Sequence, residues 1–437
     1  MLKSFSDTID GPLRCLKQGK LLLAISGGLD SVVLAWLCHE LKLNFALAHC
    51  NFNLRDEESN TDEDFVINLA EDLDVEVFIQ NFDTLSYAQS NGRSIQMAAR
   101  ELRYDWLKEL AGQLEFDYIL TAHHADDNLE TFLINFTRGT GLNGLTGIPT
   151  INDNIVRPLL SFPRAQIQEY ARDHNIDWRE DSSNATRKYL RNKFRHDIVP
   201  ILKEINPNLL DSFQNTLEHL KDTADIVEES LNAVAKRAIV NIDDHGVTYK
   251  ISEFKKVNNP KAYLFEMFKN FGFTEWNDVV DLLDAESGKY VKSNSHRLIK
   301  HRAHLILTDL QTYTNEPIII NESDASIETP LGILKLETAK SYLQADLHTI
   351  YVDKHRLKFP LMLRPWQEGD IFQPLGMTGK KKVSKYLKDE KTSLVEKENT
   401  WVLTSDNEII WIVGKRADER FKITSKTKDI LKITLKG

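Results

Sequence analysis

Cysteine is scarce and scattered in this chain: Cys15, Cys38 and Cys50 are the only three in 437 residues. No Cys-x-x-Cys pair occurs, which argues against a zinc or iron–sulfur site and for a reducing compartment. No apolar run approaches the roughly 18 residues of a membrane span. The opening residues, Met1-Leu2-Lys3-Ser4-Phe5-Ser6-Asp7, lack the apolar core of a secretory signal. A cytoplasmic chain without membrane contact is expected. Basic excess is missing too: 55 Lys and Arg face 65 Asp and Glu, a formal net charge of −10. Any polyanion must therefore be met by local patches. The Gly-Lys-Ser/Thr ending of the common phosphate loop is absent, as are internal repeats and low-complexity segments. The length is enough for about three domains.

What is present begins with Ser26-Gly27-Gly28-Leu29-Asp30-Ser31. Leu21–Ile25 before it reads as a buried parallel strand, and Ser31–Leu37 after it as a helix opening on a Ser or Asp cap. A strand, a glycine turn and a helix start present free backbone N–H groups to an anion. Ser26 and Ser31 are expected to add hydroxyl donors. A carboxylate beside phosphates is repelled unless a cation lies between them, so Asp30 reads as a Mg²⁺ ligand. The competing reading is an ordinary strand–turn–helix corner. The hexapeptide resembles the PP-loop of ATP pyrophosphatases, which cleave ATP between its α- and β-phosphates to adenylate a carbonyl oxygen.

From Leu21 to about Pro200 strands and helices alternate. Strands are expected at Phe45–His49, Val75–Ile79 and Tyr118–Thr121, with helices at Glu57–Leu73, Ile95–Leu110 and from Asp127. The pattern implies an α/β fold with a doubly wound parallel sheet, whose ligands sit at the carboxyl ends of the strands. After Pro207 the composition changes. Phe213, Leu217, Leu220, Ala224, Val227 and Leu231 step by four and three, predicting a long amphipathic helix. Helices at Lys261–Asn270 and Trp276–Asp284 and strands near Leu298–Leu307 complete a small helical domain. Asn315–Ser326 reads as a linker to a β-rich α+β domain. The expected boundaries are 1–208, 209–314 and 315–437.

His123-His124-Ala125-Asp126-Asp127-Asn128-Leu129-Glu130-Thr131 follows the fourth strand. Two imidazoles and three carboxylates there call for a cation, either magnesium through Asp126 or Asp127, or a cationic substrate. A well-capped helix start with solvated acids is the plainer alternative. Arg100 and Arg103 share a helix face at i and i+3, where they would neutralise pyrophosphate. Arg187, Arg191 and Arg195 repeat every four residues. They form either an RNA-binding stripe or a solvated face paired with Glu180 and Asp181. A second basic run, Lys380-Lys381-Lys382-Val383-Ser384-Lys385-Tyr386-Leu387-Lys388, has Trp366, Phe372 and Tyr386 as aromatic neighbours, which suits RNA contact.

In order and spacing these stretches resemble the tRNA(Ile)-lysidine synthetase family. The resemblance extends to His49–Arg55, Ala99–Tyr104, Arg138–Leu142, Arg157–Leu159, Asp181–Asn184, Arg191–Arg195 and Arg364–Asp370. It implies a ligase that uses ATP and Mg²⁺ to join free L-lysine to C2 of the wobble cytidine of a CAU-anticodon isoleucine tRNA. An adenylated cytidine is the intermediate, AMP and diphosphate are released, and decoding changes from AUG to AUA. Ser26–Ser31 would bind ATP, Asp30, Asp126 and Asp127 the metal, and Asp127 with Glu130 the lysine. Arg103, Arg191, Arg195 and either His123 or His124 would serve catalysis. Arg187, Lys380, Lys381, Lys382 and Lys385 would contact tRNA, and the partners would include a second copy of the chain. Phe52 and Asn128 depart from the His and Gln common in relatives. The rival readings are a PP-loop tRNA thiolase, which generally wants a nucleophilic cysteine pair or a cluster-binding cysteine set, and an RNA-binding protein with a vestigial ATP site.

Overall fold

A computed structural model describes every residue except 55–56, 181–189, 244–245, 311–315, 342–345 and 437. It divides into two compact units, Met1–Val227 and Glu228–Gly437.

The first unit opens with α1 (Leu2–Asp10) and then alternates: β1 (Leu21–Ile25), α2 (Leu29–Glu40), β2 (Phe45–Asn51), α3 (Glu57–Asp72), β3 (Val77–Asn81). Next come α4 (Thr84–Ser90), α5 (Ile95–Gln113), β4 (Tyr118–Leu120), α6 (Ala125–Arg138) and α7 (Leu142–Leu145). β5 (Ile151–Asn152), β6 (Ile155–Val156) and α8 (Arg164–Asp173) follow. The strands form one sheet in the order β3-β2-β1-β4-β6-β5, parallel except for the β5–β6 hairpin.

Side chains alternate across β1 because the strand period is two. Leu21, Leu23 and Ile25 pack with Val32, Val33 and Leu37 of α2 and Ile167 and Ala171 of α8. Leu22 faces the other way, with Ala46, Ala48, Leu107 and Ala111. Both faces of β1 are thus buried, which is why it reads as an unbroken apolar run. Truncating a leucine such as Leu23 to Ala would cost about 2–5 kcal/mol.

Beyond the sheet, α9 (Leu190–Lys193), a π-helical turn (Phe194–Ile198), α10 (Val199–Ile205) and α11 (Leu209–Ala238) follow. Leu129, Phe132 and Leu133 of α6 pack against Val199, Phe213 and Leu217. Gly147 sits at φ +75°, and a Cβ there would lie 2.4 Å from Asn128 Oδ1. That oxygen accepts from Ile148 N at 2.7 Å. Asn128 is therefore a buried loop anchor.

The second unit holds more strand than its sequence suggests. A five-stranded antiparallel sheet uses Ile239–Asp243, Gly246–Lys250, His304–Asp309, His296–His301 and Tyr290–Lys292. Helices Pro260–Phe268 and Trp276–Asp281 pack on it around Phe254, Leu264 and Phe268. Two further antiparallel sheets share a core that includes Leu336, Ile350, Leu363, Trp411 and Ile433. The expected linker is corrected within this unit: Ile318–Ile320 is a strand paired with Leu361–Leu363. Its three isoleucines outweigh the Pro and Asn around them.

Candidate active site

The Ser26–Ser31 loop is held by its own hydroxyls. Ser31 Oγ donates to Gly28 O at 2.9 Å and accepts from Ser26 N at 3.2 Å, and the two Oγ atoms are 3.1 Å apart. The serines brace the turn more than they reach outward. Gly27 takes φ +83°, a backbone region costly to side chains. Its carbonyl accepts from Arg179 N at 2.9 Å, so a distant segment completes the turn.

Asp30, in the first turn of α2, is about a quarter exposed (28%). Its Oδ1 is buried without a hydrogen-bond partner, while Oδ2 lies 3.6 Å from His124 Nε2. Burial raises its carboxyl above the usual range against the pull of His124 and Arg164. An unsatisfied buried carboxylate oxygen beside an anion-accepting turn fits a divalent cation.

His124 caps α6 in a reciprocal box. Asp127 N donates to His124 Nδ1 at 3.3 Å, and His124 N donates to Asp127 Oδ2 at 3.1 Å. With Nδ1 an acceptor, the proton of the neutral ring sits on Nε2, between Asp30 and Asp127, whose Oδ2 is 3.4 Å away. His123 Nδ1 meets Thr121 Oγ1 at 3.0 Å. Burial pushes the His123 ring down to about 4, against Asp127 and helped by Arg157, Arg191 and Arg100. It is neutral at physiological pH.

The remaining acids have cations of their own. Asp126 does not stand open as a metal ligand: Oδ1 accepts from Lys203 Nζ at 2.5 Å and Oδ2 from Arg164 N at 2.9 Å. Burial works to raise its carboxyl, but these partners hold it below the usual range. Glu130 does not stand open to a lysine ammonium: its side chain is 2% exposed, and Arg191 Nε and Arg195 Nε donate to it at 2.8 and 2.7 Å. Arg191 and Arg195 in turn bond to buried acids and do not stand as a wholly solvated face. They point inward, and Arg195 also donates to Asp127 Oδ1 at 2.9 Å. The π-helical turn that begins at Phe194 lies between the two arginines. Arg187 and the Asp181–Asn184 stretch lie outside the described residues. Among the described residues no group of three or more His, Cys, Asp or Glu side chains converges to hold a metal.

Arg103, on α5, reaches the end of β2 with its guanidinium carbon 5.2 Å from the Phe52 ring, which stacks on Phe82 at 5.7 Å. Arg100 covers Tyr104 at 4.9 Å. In the second unit Lys380, Lys382 and Lys385 are exposed, whereas Lys381 pairs with Asp389 at 2.8 Å. The aromatic neighbours do not offer stacking faces. Phe372 and Tyr386 are core residues, and partly buried Trp366 packs against that core and donates to Lys397 O. Arg164 and Lys203 went unmarked in the sequence, and only their partners Asp30 and Asp126, far away in the chain, could have flagged them. Cys38 is buried, and burial lifts the Cys50 thiol to about 12. No helix among the described residues is long and apolar enough to cross a membrane.

A parallel sheet with this loop at the carboxyl end of its first strand, and an acid facing inward from the turn, defines a PP-loop domain. The model of that domain matches residues 1–202. Models of the TilS substrate binding domain and the TilS substrate C-terminal domain match residues 242–310 and 361–433. The chain is 38% identical over 421 residues to the tRNA(Ile)-lysidine synthase of Parabacteroides distasonis, covering 95% of each chain. It is equally similar, over the same shares, to that of Bacteroides thetaiotaomicron. The likeness to the Porphyromonas gingivalis enzyme is 37% over 417 residues, 92% of this chain and 91% of that one. The chain belongs to the tRNA(Ile)-lysidine synthase family.

Proposed function

We propose that this chain uses ATP to join the ε-amine of free L-lysine to C2 of the wobble cytidine in a CAU-anticodon isoleucine tRNA, turning an AUG reader into an AUA reader. The observation that carries the reading is the pre-braced Ser26–Ser31 turn with Asp30 Oδ1 buried and unsatisfied beside it. Residues 1–208 would catalyse; 209–314 and 315–437 would hold the tRNA, with Lys380, Lys382 and Lys385 among the contacts. We carry a homodimer with the same proposal, to be read from sedimentation.

A cytosine carbonyl oxygen is a poor leaving group. Its O2 attacks the α-phosphorus of ATP and diphosphate departs, leaving O2 bonded to AMP. The lysine amine then attacks C2, and AMP leaves with the former carbonyl oxygen. The loop N–H groups bind the phosphates. Asp30, with Asp127 as the nearest second acid, would hold Mg²⁺, which supplies charge neutralisation at the departing diphosphate. Arg103 adds a fixed positive charge near the end of β2. His124 orients Asp127 through the capping box and keeps its proton between the two acids. His123, neutral, is the imidazole left to take the proton shed as the new C–N bond forms. Glu130 fixes Arg191 and Arg195, and lysine approaches Asp127 on the Oδ2 side, which the arginines leave alone.

A thiolase reading is less supported, because a buried Cys38 and a Cys50 thiol lifted to about 12 offer no nucleophilic pair. The test is mass spectrometry of an anticodon-loop digest after incubation with ATP, lysine and tRNA. A lysine adduct on cytidine is expected; unmodified cytidine in every fragment would refute the reading.

A further inference from the structure

Arg164 opens α8, on the side of the sheet where the strands end. Its backbone is fixed at a junction between two helix starts. Arg164 N donates to Asp126 Oδ2 at 2.9 Å, and Ala125 N donates to Phe162 O at 3.0 Å. Pro163, at φ −62°, sets the chain's approach to the helix. Lys203 Nζ holds the other oxygen of Asp126 at 2.5 Å.

From this anchored backbone the side chain reaches toward the nucleotide loop. Its Nε stands 4.0 Å from Asp30 Oδ1, too far for a hydrogen bond, and the side chain remains 48% exposed. Arg179, Arg191, Arg195 and Lys203 are each bound to a carboxylate, and Arg103 lies over Phe52. Among the described residues Asp30 is the one acid within ion-pair range of Arg164. Among the described residues Arg164 is thus a cation at the loop that no carboxylate has bound by a hydrogen bond. A planar guanidinium presents paired donors that match two phosphate oxygens.

We propose that Arg164 binds the β- and γ-phosphates of ATP and the diphosphate that leaves, with the Lys203–Asp126 pair as its positioning support. The inference deepens the ATP-cleaving reading above and rests on it. When the bond between the α-phosphorus and its bridging oxygen breaks, negative charge collects on the diphosphate. A guanidinium already in place stabilises that charge without reorganisation.

The test uses the full chain with Mg²⁺·pyrophosphate and Mg²⁺·ATP in isothermal titration, beside steady-state assays with tRNA and lysine. Arg164→Gln should weaken pyrophosphate binding by about tenfold or more and raise the KM for ATP similarly, leaving the KM for lysine within about twofold. Arg164→Lys should recover part of the loss. Lys203→Met should weaken pyrophosphate binding less, and the double variant should be no worse than Arg164→Gln alone, because Lys203 acts through Arg164. Pyrophosphate affinity unchanged in Arg164→Gln, or a loss confined to tRNA binding, overturns the inference. A wild-type chain that releases no pyrophosphate from ATP would overturn the underlying reading instead.

Discussion

Arg195 closes on Glu130 through two nitrogens, Nε 2.7 Å from Oε1 and Nη2 3.0 Å from Oε2. Arg191 adds a third bond to the same carboxylate at 2.8 Å. A buried acid held this way organises its neighbours, and removing its charge leaves two guanidinium groups with Asp127 as their remaining carboxylate. Glu130→Gln should therefore destabilise the fold by about 2–3 kcal/mol, less than for a fully buried pair because both arginines are partly exposed. Asp127→Asn should instead raise the KM for lysine more than the KM for ATP. Urea unfolding and paired KM measurements check this. Equal effects of Asp127→Asn on both substrates would make Asp127 a metal ligand only.

Asp30→Asn should separate stability from activity. Burial raises the Asp30 carboxyl, so the folded state holds its proton more tightly than the unfolded chain and loses stability as pH rises through the folded value. Near neutrality the variant should melt at or above the wild-type temperature. Pyrophosphate release should fall about a thousandfold or more. Activity within tenfold of wild type at saturating Mg²⁺ would remove Asp30 from the metal role.

His123 gives the fold a pH signature. Its ring titrates near 4 when folded, chiefly through burial, against an ordinary value of 6.5. Between those values the unfolded chain takes up the proton and the folded chain does not. Stability present above about pH 6.5 is lost as pH falls toward 4, by up to about 3 kcal/mol from this group. His49, also lowered by burial, acts with the same sign. Unfolding free energies at pH 7.5 and pH 5 should differ less for His123→Gln than for wild type; an equal difference would count against the buried neutral ring.

The C-terminal lysines should divide by their surroundings. Lys380 and Lys382 are exposed, while Lys381 is tied to Asp389 and lies 5.5 Å from the Tyr386 ring centre. Lys380→Ala with Lys382→Ala should weaken tRNA binding. The log affinity–log salt plot should flatten by about 0.7–0.9 for each phosphate that is no longer neutralised. Lys381→Ala should change the slope little. An unaltered slope in the double variant would make the run a solvated loop.

Local chemistry was readable in the sequence, and distant partnership was not. The loop is a contiguous signal: five apolar residues, a glycine turn and a helix start. The α3 and α5 spans were legible for the same reason. The pairing of Asp126 is not legible because its partners, Arg164 and Lys203, lie 38 and 77 residues away. The four-residue spacing of Arg191 and Arg195 says that they share a face. Only the packing of α6 against α9 and the π-helical turn decides that this face looks inward. Phe372 and Tyr386 were read as stacking partners because composition does not tell an exposed ring from a core ring.

The hydrogen bond from Arg179 N to Gly27 O bears on how the protein comes into being. A ribosome delivers Gly27 early and Arg179 much later, and Arg191, Arg195 and Lys203 later still. A nascent chain ending near residue 175 would already hold β1, β2, β3 and β4, so its sheet could form. Its nucleotide turn would lack the outer bond, and Asp126, Asp127 and Glu130 would face one another without their cations. The bonds that complete the nucleotide turn and pair its acids therefore come from residues synthesised after the strands that support them.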